Sequence, residues 1–250
     1  MVSLKEMEPY FSDGFESGHA VLLVHGFTGS PHSLLGVAQY LEARGFKVAL
    51  PLLPGHGTVV EDLMDKTFED WYSSVANLAV KMLDTCDRVD LFGLSMGGSL
   101  VLKLLESFTG FGKAVLVNPL VEQPAQTFLT LLRSILASGF EMAPGISSDI
   151  AKPNEFELGY GETPIRPALS LFEALPDIVD HLNVIGNEIL LFSSTQDHVV
   201  PQSSGELLVN SLVSATVERI WLENSFHVAT LDYDADRINE ESLGFFENVH

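Results

Sequence analysis

The chain has 250 residues, 46% hydrophobic and 19% charged, with a formal net charge of −21. That length suits one α/β domain with a modest insertion, and the apolar content excludes a disordered chain. The acidity would repel nucleic acid and anionic membrane, and it suits a soluble protein acting on a neutral small molecule.

The single cysteine, Cys86, allows no intrachain disulfide and no cysteine-based metal site. Residues 1–10 lack a basic region followed by an apolar run. No stretch of about 18 uninterrupted apolar residues is present, so no spanning helix is expected. The expected location is the cytoplasm.

Residues 20–24 are a short continuous apolar run, as a buried parallel strand requires. Residues 31–43 place Leu34, Leu35, Ala38 and Leu41 on one helical face. A second strand is predicted over 46–50. A longer helix over 68–83 carries Trp71, Val75, Leu78, Ala79 and Met82 at helical spacing. A third strand (88–92), a helix (96–108) and a fourth strand (113–117) follow. This alternation implies a parallel sheet with helices on both faces.

The pattern breaks between 120 and 165, where no buried strand is apparent. A helix is predicted over 126–140, with Phe128, Leu129, Leu132, Ile135, Leu136 and Phe140 apolar, before a stretch punctuated by proline and glycine. Residues 120–165 therefore read as an insertion between core strands. A helix (167–182), a strand (188–193), a helix (203–212), a strand (216–222) and a closing helix (234–248) complete the prediction. Open parallel sheets bind ligands at the carboxyl ends of their strands, and the residues singled out below fall there.

The run Gly93-Leu94-Ser95-Met96-Gly97 follows an apolar strand and opens a helix. In that context the serine sits on a sharp strand-to-helix turn with its hydroxyl exposed above the sheet. A serine hydroxyl is a weak nucleophile and needs a base, which in turn needs an orienting acid. Of the eight histidines, His227 lies past the last strand and before the final helix. His25 and His56 are rivals, each beside glycine in a tight loop. Asp197 lies beyond the 188–193 strand and is the candidate acid, whereas Asp232 and Asp234 are expected to cap the last helix. The chain order Ser95, Asp197, His227 is that of the α/β-hydrolases and differs from the chymotrypsin and subtilisin orders. An oxyanion hole needs two N–H donors: Met96 supplies one and Phe27, after the first strand, the other.

Together these segments resemble the α/β-hydrolase superfamily, and within it the bacterial monoacylglycerol lipases and related small carboxylesterases. The likeness spans most of the chain. It includes His25-Gly26-Phe27-Thr28-Gly29-Ser30-Pro31, Pro54-Gly55-His56-Gly57, the serine turn, Gln196-Asp197-His198-Val199-Val200-Pro201 and the segment from Phe226 to Asp234. It implies an α/β-hydrolase core over 1–119 and 166–250, with 120–165 as a small cap. Only residues 1–19 precede the first predicted strand, so the N-terminal hairpin of larger members is absent and six or seven strands are expected. By the same resemblance, Ile146 and Glu157 contact the polar head of the substrate. The implied reaction is ester hydrolysis through an acyl-enzyme, releasing fatty acid and glycerol, with no metal or cofactor. The implied partner is a small lipid or ester, with at most transient contact with lipid aggregates. A short-chain carboxylesterase and a non-catalytic ligand-binding homologue are the alternative readings.

Overall fold

The computed structural model describes residues 4–145 and 148–248. In chain order it runs β1 (Tyr10–Phe11), β2 (His19–Val24), α1 (His32–Glu42), β3 (Lys47–Leu50), α2 (Phe68–Thr85), β4 (Arg88–Leu94), α3 (Met96–Ser107) and β5 (Phe111–Val117). The next segment holds α4 (Gln126–Ala137) and an antiparallel pair, β6 (Met142–Pro144) with β7 (Glu162–Pro164). The chain continues through α5 (Ile165–His181), β8 (Glu188–Ser194), α6 (Gln202–Ser211), β9 (Thr216–Leu222) and α7 (Ala235–Glu247).

The main sheet has seven strands in the order β1-β3-β2-β4-β5-β8-β9. All neighbours are parallel except β1 and β3. The antiparallel edge strand β1 departs from the sequence reading, which placed nothing regular before the first apolar run. At two residues it is too short to show a period. β6 and β7 also escaped prediction, because they are brief, contain proline and bury little.

Side-chain alternation along the strands divides the core into two layers. Ala20, Leu22 and Val24 face a cluster that includes Trp71 and Val75 of α2, Leu100 and Leu104 of α3, and Leu171 and Leu175 of α5. Val21 and Leu23 face Leu34 and Leu41 of α1 and Ile238 and Phe246 of α7. Both faces are covered, which is why the central strands read as unbroken apolar runs. The one buried polar side chain on β4, Asp90, has its carboxylate satisfied by His19 Nε2 (2.7 Å), Arg88 Nε (3.0 Å) and the Lys113 N–H (2.7 Å). That network holds the start of the strand whose far end carries Ser95.

Helix α5 contains Pro176, which has no N–H to offer the carbonyl one turn earlier. The side-chain amide of Gln123 donates to that carbonyl, Phe172 O, at 2.9 Å. The start of the 120–165 segment is thereby tied to the helix that follows it. β3 lies on one side of β2 and β4 on the other, so a crevice opens at their carboxyl ends.

Candidate active site

Ser95 stands between β4 and α3 with φ 55° and ψ −119°. A non-glycine residue there is strained, and its neighbours hold it in place. Its N–H donates to Val117 O at 3.0 Å, and its carbonyl accepts from the Leu120 N–H at 3.2 Å. The turn is tight because α3 presses directly on β2: a Cβ added to Gly97 would stand 1.9 Å from Val24 O. The loop after β2 also comes close. A Cβ on Gly26 would lie 3.4 Å from Ser95 Cβ and 3.9 Å from Ser95 Oγ.

Ser95 and His227 line the same cavity, of about 490 Å³, with Gly26, Phe27, Leu120 and Phe128 among the other wall residues. Among the described residues the Ser95 hydroxyl has no hydrogen-bond partner. His227 Nδ1 meets Asp197 Oδ2 at 2.8 Å, and both side chains are buried. The other Asp197 oxygen accepts the N–H groups of Val199 and Val200, each at 2.8 Å. With a carboxylate at Nδ1, that nitrogen carries the proton and Nε2 keeps its lone pair.

Asn118 locks the His227 loop to the sheet. It sits just past β5 at φ 44°. Its amide donates to His227 O (2.8 Å) and to Ser194 Oγ (2.9 Å), and its oxygen accepts the Ser194 N–H (2.7 Å). Ser194 Oγ in turn donates to Phe226 O at 2.8 Å. The sequence reading missed Asn118; its one signal was an asparagine directly after a buried strand.

The two rival histidines lie elsewhere. His25 accepts the Leu53 N–H at Nε2 (3.2 Å), so its Nδ1 donates to Gly26 O (2.9 Å). Burial, reinforced by neighbouring His56, pushes its pKa down to about 3. Burial pushes His56 down to about 4. Both stay neutral and pack in an aromatic group with Phe27, Trp71 and Tyr160. Phe27 also lines the cavity, and Met96 is the buried first residue of α3.

Glu157 lies on the cavity wall, with its carboxylate against the loop after β2: a Cβ on Gly29 would stand 2.5 Å from Glu157 Oε1. Burial pushes its carboxyl up to about 7, while nearby His227 and the Ser33 hydroxyl act in the opposite direction. Ile146 lies outside the described residues.

The reading of Asp232 and Asp234 as helix caps is corrected. Asp234 occupies the N-cap position of α7 but makes no capping bond. Its carboxylate accepts from the Asn224 N–H (3.0 Å) and Ser225 Oγ (2.8 Å). Asp232 accepts the N–H groups of Ala151 (2.7 Å), Lys152 (2.9 Å) and Phe226 (2.9 Å). Both carboxylates satisfy loop backbone rather than the helix end.

Among the described residues, Glu106, Asp177 and His181 form one grouping able to hold a metal ion. It lies on α3 and α5, away from the cavity. The Lys103 ammonium already contacts both carboxylates there, so the cation position is filled by the chain itself. No helix among the described residues is long and apolar enough to cross a membrane.

A mostly parallel sheet that presents a strained serine after one strand and a coupled aspartate and histidine after two others is the layout of the α/β-hydrolases. Residues 16–234 match the family described as serine aminopeptidase, S33, and the chain belongs to that family of hydrolases. It is 37% identical over 246 residues to the thermostable monoacylglycerol lipase of Bacillus sp. (strain H-257), covering 97% of this chain and 95% of that one. It is 26% identical over 233 residues to a carboxylesterase of Bacillus subtilis (strain 168), covering 92% of this chain and 93% of that one. A solved structure from the work on LipS and LipT, two metagenome-derived lipolytic enzymes, superposes with a TM-score of 0.90 at 34% identity, covering 98% of this chain and 99% of that one.

Proposed function

We propose that this hydrolase cleaves monoacylglycerols, with Ser95 as nucleophile, His227 as base and Asp197 as the acid that orients it. Residues 120–165 are the cap. His227 Nε2 takes the proton from Ser95 Oγ as the oxygen attacks the ester carbonyl. The N–H groups of Met96 and Phe27 receive the oxyanion. Glycerol leaves with the proton from His227, and water, activated by the same imidazole, then cleaves the acyl-enzyme.

The observation that carries the substrate is the polarity of the cavity. One part of its wall is apolar, from Leu120, Phe128, Leu132, Ile165, Leu171 and Phe172. Another part holds the Glu157 carboxyl beside Gly29. Such a space suits an apolar chain joined through an ester to a small hydroxylated head. The 37% identity to a monoacylglycerol lipase supports the same reading. By that likeness Glu157 meets the glycerol hydroxyls, and the α4 side of the cap receives the acyl chain. Lipid aggregates are touched only in passing.

A panel of monoacylglycerols, p-nitrophenyl esters of increasing acyl length and amino-acid p-nitroanilides tests this. The expected result is the highest kcat/KM on monoacylglycerols of medium or long chain. A preference for the smallest acyl groups would favour the short-chain carboxylesterase reading, which the B. subtilis relative supports. Faster turnover of the anilides would favour a peptidase.

A further inference from the structure

We propose that Asp149, a cap residue, is a positioning residue for the His227–Asp197 pair. The inference rests on the catalytic roles proposed above. The aspartate and histidine stand on separate loops, after β8 and β9, and have to meet at 2.8 Å. Asp149 binds both loops at the residues that matter. Its Oδ2 accepts the backbone N–H of His227 itself (3.1 Å) and that of His198, the neighbour of Asp197 (3.1 Å). Its Oδ1 meets His198 Nδ1 at 2.8 Å. Its carbonyl accepts the Val228 N–H at 3.0 Å.

A roof over the cavity needs no bond to the backbone of the base. Asp149 makes one, and with the same carboxylate it holds the acid loop. The side chain is only 13% exposed, so its charge is largely removed from water and depends on these donors. Asp232 secures the strip that carries it, binding Ala151 and Lys152 on one side and Phe226 on the other. The His198 ring packs edge-on against Phe226 with centroids 4.5 Å apart, closing the loop around the carboxylate. The charged groups facing His227 are then Asp197 at its ring, Glu157 across the cavity and Asp149 at its N–H, with His198 beyond. Misplacing a reacting group by about 1 Å costs on the order of a hundredfold in rate, so a small slip of either loop is sufficient to matter.

The test compares Asp149→Ala and Asp149→Asn with the parent protein. It reads kcat and KM on a water-soluble p-nitrophenyl ester, the far-downfield proton resonance of the His227 Nδ1–H, and Tm. Expected are a kcat loss of about 10- to 100-fold, a KM within about twofold, and a shifted or broadened Nδ1–H resonance in a variant that is still folded at the assay temperature. If Asp149→Ala does not fold, Asp149→Asn carries the test, because it keeps the side-chain volume. An unchanged kcat overturns the proposal. So does a kcat loss that merely follows the unfolded fraction while the resonance stays in place. Absence of ester hydrolysis in the parent would instead sink the proposed function, and the resonance would still report on positioning.

Discussion

The two ends of the cavity are built in different ways. At the Ser95 end the groups stand just past the ends of parallel strands, and β2, β4, β5, β8 and β9 each contribute. Backbone packing sets their positions, as the close approaches at Gly97 and Gly26 show. At the Glu157 end the carboxyl comes from a segment that packs on α5 through a small apolar cluster of Leu129, Leu132, Ile165 and Leu169. That stretch is fastened by loop bonds: Ser30 Oγ to Leu158 O (2.6 Å), the Tyr160 N–H to Thr28 O (2.9 Å) and Tyr160 OH to Gly55 O (2.8 Å). On the proposed roles, one end fixes where a bond is broken, and the other decides which molecule reaches it. A shared scaffold can therefore keep its chemistry while its choice of ester changes.

The largest effect belongs to the strand-end side. Ser95→Ala should remove about a millionfold of turnover, as loss of a triad nucleophile does, without lowering Tm. Substantial residual ester hydrolysis in a clean preparation would break the comparison, because the chemistry would then lie elsewhere.

A smaller loss should follow Asn118→Ala. It leaves His227 O and the Ser194 N–H without their partner in a buried setting, which costs about 1–3 kcal/mol of stability. Turnover should fall at least tenfold as the base loses its tether, with KM little changed. Denaturant melts and steady-state kinetics read the two together.

Glu157→Gln acts at the other end and should sharpen the contrast. KM for a monoacylglycerol should rise several-fold, while kcat on a p-nitrophenyl ester stays near that of the parent. The same substitution tests the raised carboxyl. Its folded value of about 7 lies above the ordinary 4.5, so the folded chain keeps a proton that the unfolded chain has lost between those values. Stability from this group is present below pH 4.5 and is lost as pH rises through 7. The shift is equivalent to at most about 3 kcal/mol. Tm of the glutamine variant should therefore exceed that of the parent at pH 8 and match it near pH 4. Parallel melting curves for the two proteins across that range would show that Glu157 is not strained by its charge.

How much of this was legible in the sequence follows from where the forces act. β2, β4, β5 and β8 were visible because strands buried on both faces are largely apolar, with Asp90 and Lys113 as buried exceptions. The serine turn and Asp197 were visible because each lies just past such a strand, and His227 because it follows β9, the half-exposed last strand. β1, β6 and β7 were not, since strands of two or three residues leave no period. Asn118 and Asp149 were hidden for another reason. Their work is to accept or donate bonds to backbone far away in the chain, His227 O for one and the His198 and His227 N–H groups for the other, and such pairs have no characteristic spacing. Asp234 misled for the converse reason. It has the residue type and position of a helix cap, but its carboxylate turns to Asn224 and Ser225 instead.

The backbone at Ser95 has a further consequence. Its dihedrals fall where glycine rests easily and a side chain does not. Relaxing that residue to glycine would ease the local geometry while deleting the hydroxyl that the turn displays. The protein thus holds a strained residue where the proposed chemistry takes place, and selection for thermal robustness alone would tend to erase it.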